Sequence, residues 1–211
     1  MSDTPRILTL ARYTVLANPQ RTLNLPEVEG VGELRRVGCF MAVDEERKVV
    51  AFRNDDAPDL AEEFRVFSDG ECEREVLRVA PDRAGAWGVH AGETLIGRLA
   101  PAARGLRARA WQLEGPDGAG LARLDDATPM ASLQRRFRRA HYRERFRIQP
   151  ADGSAPTFLL RDGASNAYVL RVVSPDEPTV DRALILAAAM CLPTLEGLTA
   201  YLRPDLPRFE G

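Results

Sequence analysis

Short apolar runs separated by turn-forming residues dominate the chain, and aromatic residues open them at a steady spacing. Phe40-Met-Ala-Val43 is followed by Asp44-Glu-Glu and then Lys48-Val-Val-Ala-Phe52, and Phe64-Arg-Val-Phe67 by Ser68-Asp-Gly70 and Glu75-Val-Leu-Arg-Val79. Trp87-Gly-Val89 precedes Ala91-Gly-Glu93 and Thr94-Leu-Ile-Gly-Arg-Leu99, while Trp111-Gln-Leu113 precedes Gly115-Pro-Asp-Gly118 and Leu121-Ala-Arg-Leu124. The openers Phe40, Phe64, Trp87 and Trp111 fall 24, 23 and 24 residues apart. Each unit reads as a β-hairpin, two strand-like runs around a turn signal. The scheme resumes at Phe146-Arg-Ile148, Thr157-Phe-Leu-Leu-Arg161 and Tyr168-Val-Leu-Arg-Val-Val173, and Tyr13-Thr-Val-Leu16 reads as an edge strand. Alternation such as Phe64 and Val66 against Arg65 is the two-residue period of strands with one buried face. Ten or more short strands without intervening amphipathic helices favour an antiparallel barrel or sandwich. Propeller blades fit less well, because a four-stranded blade needs roughly 40 residues.

The pattern changes near the C-terminus. Residues 183–192 are continuously apolar, and the spacing predicts a helix over about 180–192, with Thr179 as N-cap, Asp181 favourable at the positive helix end, and Pro193 ending or kinking it. Such a helix has no polar face for water, yet at ~1.5 Å per residue it covers only about half of a ~30 Å hydrocarbon core. It therefore calls for burial within protein. Three alanines, 187–189, keep it slim, and a closed sheet wrapped around it meets the demand most directly.

These hairpins, followed by Ser154-Ala-Pro-Thr-Phe-Leu-Leu-Arg161, Ala167-Tyr-Val-Leu-Arg-Val-Val173, an acidic link and the apolar helix, resemble the Tubby C-terminal-like superfamily. Within it they are most similar to the LURF-one-related and phospholipid scramblase-like branches, over residues 13–195. The resemblance implies a mainly β fold: an antiparallel closed β-barrel of about twelve strands around a buried hydrophobic C-terminal helix. The expected organisation is one domain over 1–211 with a flexible tail at about 203–211. Tubby proteins bind phosphoinositides through basic surface residues and scramblases move lipid, whereas many LURF-one-related proteins have no assigned biochemistry. No tubby phosphoinositide motif matches particular positions here. Asp176, Glu177 and Asp181 sit where scramblases carry a calcium-associated acidic stretch, but they lack the alternating oxygen-ligand pattern and read as capping and loop residues.

Among 211 residues the formal net charge is -2, so a global electrostatic case for binding nucleic acid is absent and any such binding must be local. One segment departs from that balance. Residues 135–147 carry seven arginines, Arg135, Arg136, Arg138, Arg139, Arg143, Arg145 and Arg147. The segment reads as a helix or irregular connector to about Ala140 and a strand after it, with Arg143, Arg145 and Arg147 on one face and Tyr142, Phe146 and Ile148 on the other. Forked guanidinium groups there can hold phosphate on an anionic membrane or ligand. The competing reading is a solvated wall whose arginines pair with the chain's acids.

Catalytic and metal-binding patterns do not emerge. His90 and His141, the two histidines, show no nucleophile–base or ligand spacing, and GxGxxG, Walker A, GxSxG and HExxH motifs are absent. The glycine-rich 115–120 segment reads as a hairpin turn rather than a phosphate loop, as no helix follows it. Cys39, Cys72 and Cys191 are scattered and odd in number, which suits reduced packing residues. With no basic, apolar leader at its start, the chain reads as cytoplasmic, with peripheral membrane association an open option. The expectation is a non-enzymatic binding or scaffold module without cofactor or metal, whose partner is an anionic lipid surface met through the arginines. The alternative is a protein-interaction barrel using a sheet edge or loops; an enzyme whose groups converge only in three dimensions ranks last.

Overall fold

Alternate apolar positions commit each run to a strand with one dry face. In the computed structural model, residues 4–17, 40–54, 63–68, 73–82, 85–102, 110–126, 144–161 and 169–195 are described, with only the backbone for 17, 52, 54, 126, 144, 145 and 193–195. These residues form twelve strands and one α-helix after a 3-10 turn at Arg6–Thr9. The strands are β1 (Arg12–Ala17), β2 (Phe40–Val43), β3 (Val49–Asn54), β4 (Phe64–Phe67), β5 (Glu75–Pro81), β6 (Trp87–Ala91), β7 (Thr94–Pro101), β8 (Trp111–Glu114), β9 (Gly120–Asp126), β10 (Glu144–Pro150), β11 (Thr157–Arg161) and β12 (Val169–Val173). The helix is α1 (Arg182–Leu195).

From β2 to β12 each strand pairs antiparallel with the next in the chain, and β1 closes the barrel between β2 and β12. Its register is Thr14 opposite both Val43 and Arg171. The Tyr13 run is thus a closing strand and not an edge, a correction with a physical reason: closure pairs the last free row of N–H and C=O groups. It also removes the sheet edge on which an edge-docking partner would depend.

Inward-facing side chains from all round the wall meet α1. Val15, Val66, Leu113, Leu124, Ile148, Leu159 and Leu170 are almost fully buried, and no residue of 183–192 is more than 6% exposed. The helix therefore lies inside the barrel, as its lack of a polar face demands. At Gly97 in β7 the packing admits no side chain, for a Cβ there would sit 2.5 Å from the Glu114 carbonyl oxygen and 2.8 Å from Leu184 Cδ2. Of the aromatic openers, Phe40 and Phe64 are core residues, while the half-buried Trp87 and Trp111 pack against the core and stack with centroids 4.8 Å apart.

The helix ends differ from the sequence reading. α1 begins at Arg182, and the cap is Asp181, whose Oδ1 accepts from the Ala183 N–H at 2.7 Å. Thr179 instead shares a 2.7 Å hydroxyl contact with Ser154 in the β10–β11 turn. Nor does Pro193 stop the helix, which continues to Leu195. Near that end a charge is held inside the barrel: Arg53 of β3, 3% exposed, donates from Nη1 to the Met190 carbonyl and lies 3.9 Å from the centroid of Phe64 and 5.1 Å from that of Phe40. Helix-end carbonyls and aromatic faces both favour a cation.

Candidate anion-binding wall

Strand β10 carries the described part of the arginine-rich segment. Arg135, Arg136, Arg138, Arg139 and Arg143 lie outside the described residues. Phe146 and Ile148 face the core while Arg147 faces out, in agreement with the two-residue period. Arg145 lies on the same outer face of β10 by that period.

Register places further groups beside them. One row across the outer wall runs Asp125, Arg147, Phe158, Val173 and Arg12, through β9, β10, β11, β12 and β1. The next runs Arg145, Leu160, Arg171 and Thr14. With strands about 4.8 Å apart, Arg12, Arg147 and Arg171 from three strands border an apolar strip centred on β11. Phe158 is 37% exposed, one of two large hydrophobic residues open to solvent among those described. Sequence reading missed Arg12, Arg171 and Phe158 because they belong to segments remote from 135–147. Their only local signal is an outward position in an alternating run.

The electrostatics of this wall differ from those of its neighbours. Arg65 on β4 is held by Glu63 at 2.6 Å and Glu75 at 3.3 Å, and the Glu63 hydrogen bond and charge raise its pKa. Arg98 on β7 is likewise held by Asp82 at 2.6 Å. On the candidate wall, Arg147 Nη2 is 3.6 Å from Asp125 Oδ1 and Arg12 Nη1 is 3.7 Å from Glu45 Oε1. The Arg12–Glu45 pair, loose and solvent-exposed, contributes about 0–1 kcal/mol, whereas Asp125 is only 22% exposed and its Oδ1 is buried. Arg171, fully outward, has no hydrogen-bond or ion-pair partner among the described residues. Arg12 and Arg171 can therefore take up an anion at little cost.

Other sequence candidates resolve into structural roles. Residues 115–119 form the β8–β9 turn, with the Gly118 N–H on the Gly115 carbonyl at 3.0 Å and Gly118 at φ 86°. Cys191 is a buried free thiol in α1. Among the described residues, no group of three or more His, Cys, Asp or Glu side chains is placed to hold a metal ion. His141, Cys39 and Cys72 lie outside those residues. No described helix is long and apolar enough to cross a membrane.

The chain matches no protein-family profile and no curated protein. It is similar in structure to a protein from Arabidopsis thaliana of known X-ray structure, at a TM-score of 0.51 and 14% sequence identity, over 93% of this chain and 99% of that one. At such identity the likeness speaks for the fold alone.

Proposed function

We propose that the chain is a tubby-like barrel of the LURF-one-related or scramblase-like kind, and that it acts as a non-enzymatic module associating peripherally with anionic membrane surfaces. The observation that carries this reading is the juxtaposition on one outer wall of Arg12, Arg147 and Arg171 with the exposed Phe158, the backbone of Arg145 lying in the adjacent row. A cationic border draws the wall to acidic headgroups, each arginine contributing about 1 kcal/mol near such a surface, and an aromatic side chain enters the interfacial layer. The arginines of 135–143 extend the same charge along the chain leading into β10.

The test is sedimentation with phosphatidylserine-containing and pure phosphatidylcholine vesicles across salt concentration. Binding is expected to the acidic vesicles only and to fall as salt shortens the screening length from about 10 Å at 0.1 M to about 3 Å at 1 M. Arg171→Gln should weaken partitioning about fivefold. Charge reversal at Arg145 and Arg147 should weaken it further, and Phe158→Ser should weaken it without altering the salt dependence. Equal binding to neutral vesicles, or none to either kind, removes the proposal.

A further inference from the structure

A groove of about 370 Å³ opens on the outer wall beside this face, lined by Gln112 of β8, Gly120 and Arg123 of β9, Gln149 and Pro150 of β10, and Ala151. At Gly120 a Cβ would lie 2.2 Å from Gln112 Nε2, so the glycine lets the Gln112 amide fold down onto the strand.

Gln112, Arg123 and Gln149 form one cross-strand row, Arg123 standing opposite both glutamines. Strand spacing sets the Gln112 and Gln149 backbones about 10 Å apart, with the Arg123 backbone between them. Among the described residues the hydrogen-bonding capacity of these side chains is largely unspent. The Gln112 side chain makes no hydrogen bond to a described residue. Gln149 uses Nε2 to donate to the Ser154 carbonyl at 3.1 Å, and its Oε1 accepts from no described residue. Arg123, 59% exposed, approaches Asp125 only to 3.6 Å, beyond hydrogen-bond length.

From this row we infer that the groove is a binding site for a short extended peptide bearing one carboxylate. The planar fork of Arg123 matches a carboxylate in two parallel hydrogen bonds. Each flanking glutamine offers both a donor and an acceptor, which is what a peptide unit requires, and about 10 Å corresponds to three residues of extended chain. Asp125 fixes the charge of the ligand. It stands between Arg123 and Arg147, 3.6 Å from each, so the site tolerates one negative charge and disfavours a phosphate dianion. Pro150 and Ala151 supply an apolar floor, with the exposed Leu121 close by, its carbonyl bonded to the Ala151 N–H.

The experiment is an NMR titration of the full chain, following the side-chain amides of Gln112 and Gln149 and the Arg123 Nε–H. The probes are acetyl-Ala-Leu-Ala with a free carboxyl terminus, acetyl-Ala-Glu-Ala-amide, the neutral acetyl-Ala-Leu-Ala-amide, and inorganic phosphate. Either carboxylate peptide should move these resonances at concentrations up to about 10 mM, and which of the two binds tighter separates a chain terminus from an acidic side chain as the source. The neutral amide should bind at least about fivefold more weakly, a difference of about 1 kcal/mol. Arg123→Gln should abolish the shifts while leaving the backbone spectrum intact, since the residue is exposed. No shift, equal shifts with the neutral amide, tighter binding of phosphate, or shifts that survive Arg123→Gln would each overturn the assignment. Arg171→Gln, which acts on the membrane face, should leave the peptide shifts unchanged, so the two readings fail separately.

Discussion

Two polar side chains inside the barrel show how single residues are accommodated there. Around the buried Arg53 guanidinium, a carbonyl and two aromatic faces stand in for water. Tyr13 has less support. Its hydroxyl is buried without a hydrogen-bond partner among the described residues, and burial pushes its pKa well above the ordinary 10, with Arg182 opposing the shift only in part. A raised folded-state pKa means that the phenol's contribution is intact below pH 10 and is lost as pH climbs from there toward the folded value. Each pH unit in that window should remove up to about 1.4 kcal/mol. Tyr13→Phe deletes both the unmet hydroxyl and this dependence, so it should equal or exceed the parent in stability at pH 8 and fall less steeply between about pH 9 and pH 11. Urea denaturation at each pH decides the matter, and parallel curves for the two proteins would contradict it.

Elements explain how much could be read before any coordinates. Hairpins such as β4–β5 and β8–β9 were legible because their cause is local: alternating side chains and a turn that tolerates positive φ at Gly118. The buried helix was legible because ten consecutive apolar residues permit no wet face. Its N-cap was misplaced by two residues, since Thr179 and Asp181 are both good caps and tertiary contact with Ser154 decides between them. The candidate wall was legible only along β10, as the meeting of Arg12, Arg147, Phe158 and Arg171 depends on register between strands far apart in sequence. Gly97 belongs to the same illegible class. Nothing local distinguishes it from a strand glycine of little consequence, yet β7 approaches α1 and the β8 backbone there too closely for a Cβ. Gly97→Ala should therefore destabilise by about 1–3 kcal/mol despite the better strand propensity of alanine. A loss below about 0.5 kcal/mol in urea denaturation would mean that the helix can move aside.

At the scale of the whole molecule, the short strand β1 does more than its length suggests. It forms ladders on both sides, to β2 and to β12, and so joins the two ends of a sheet otherwise built by successive hairpins. The wall proposed to meet membranes spans that joint, with Arg12 on β1 and Arg171 on β12, so the array of charges exists only while the barrel is closed. A strand near a chain start ordinarily frays, and its amides then exchange with solvent through local opening. Closure predicts otherwise. Releasing β1 would expose two ladders at once and uncover α1, whose 183–192 stretch is buried on all sides, so opening should require most of the global unfolding free energy. Amide hydrogen exchange should give Thr14 and Val15 the protection of Ile148 in β10 and Leu170 in β12, with the same dependence on urea, because all would exchange through one unfolding event. Exchange at Thr14 and Val15 more than about tenfold faster and indifferent to urea would place β1 about 1.4 kcal/mol or more below the rest of the wall and show the barrel to be latched rather than continuous.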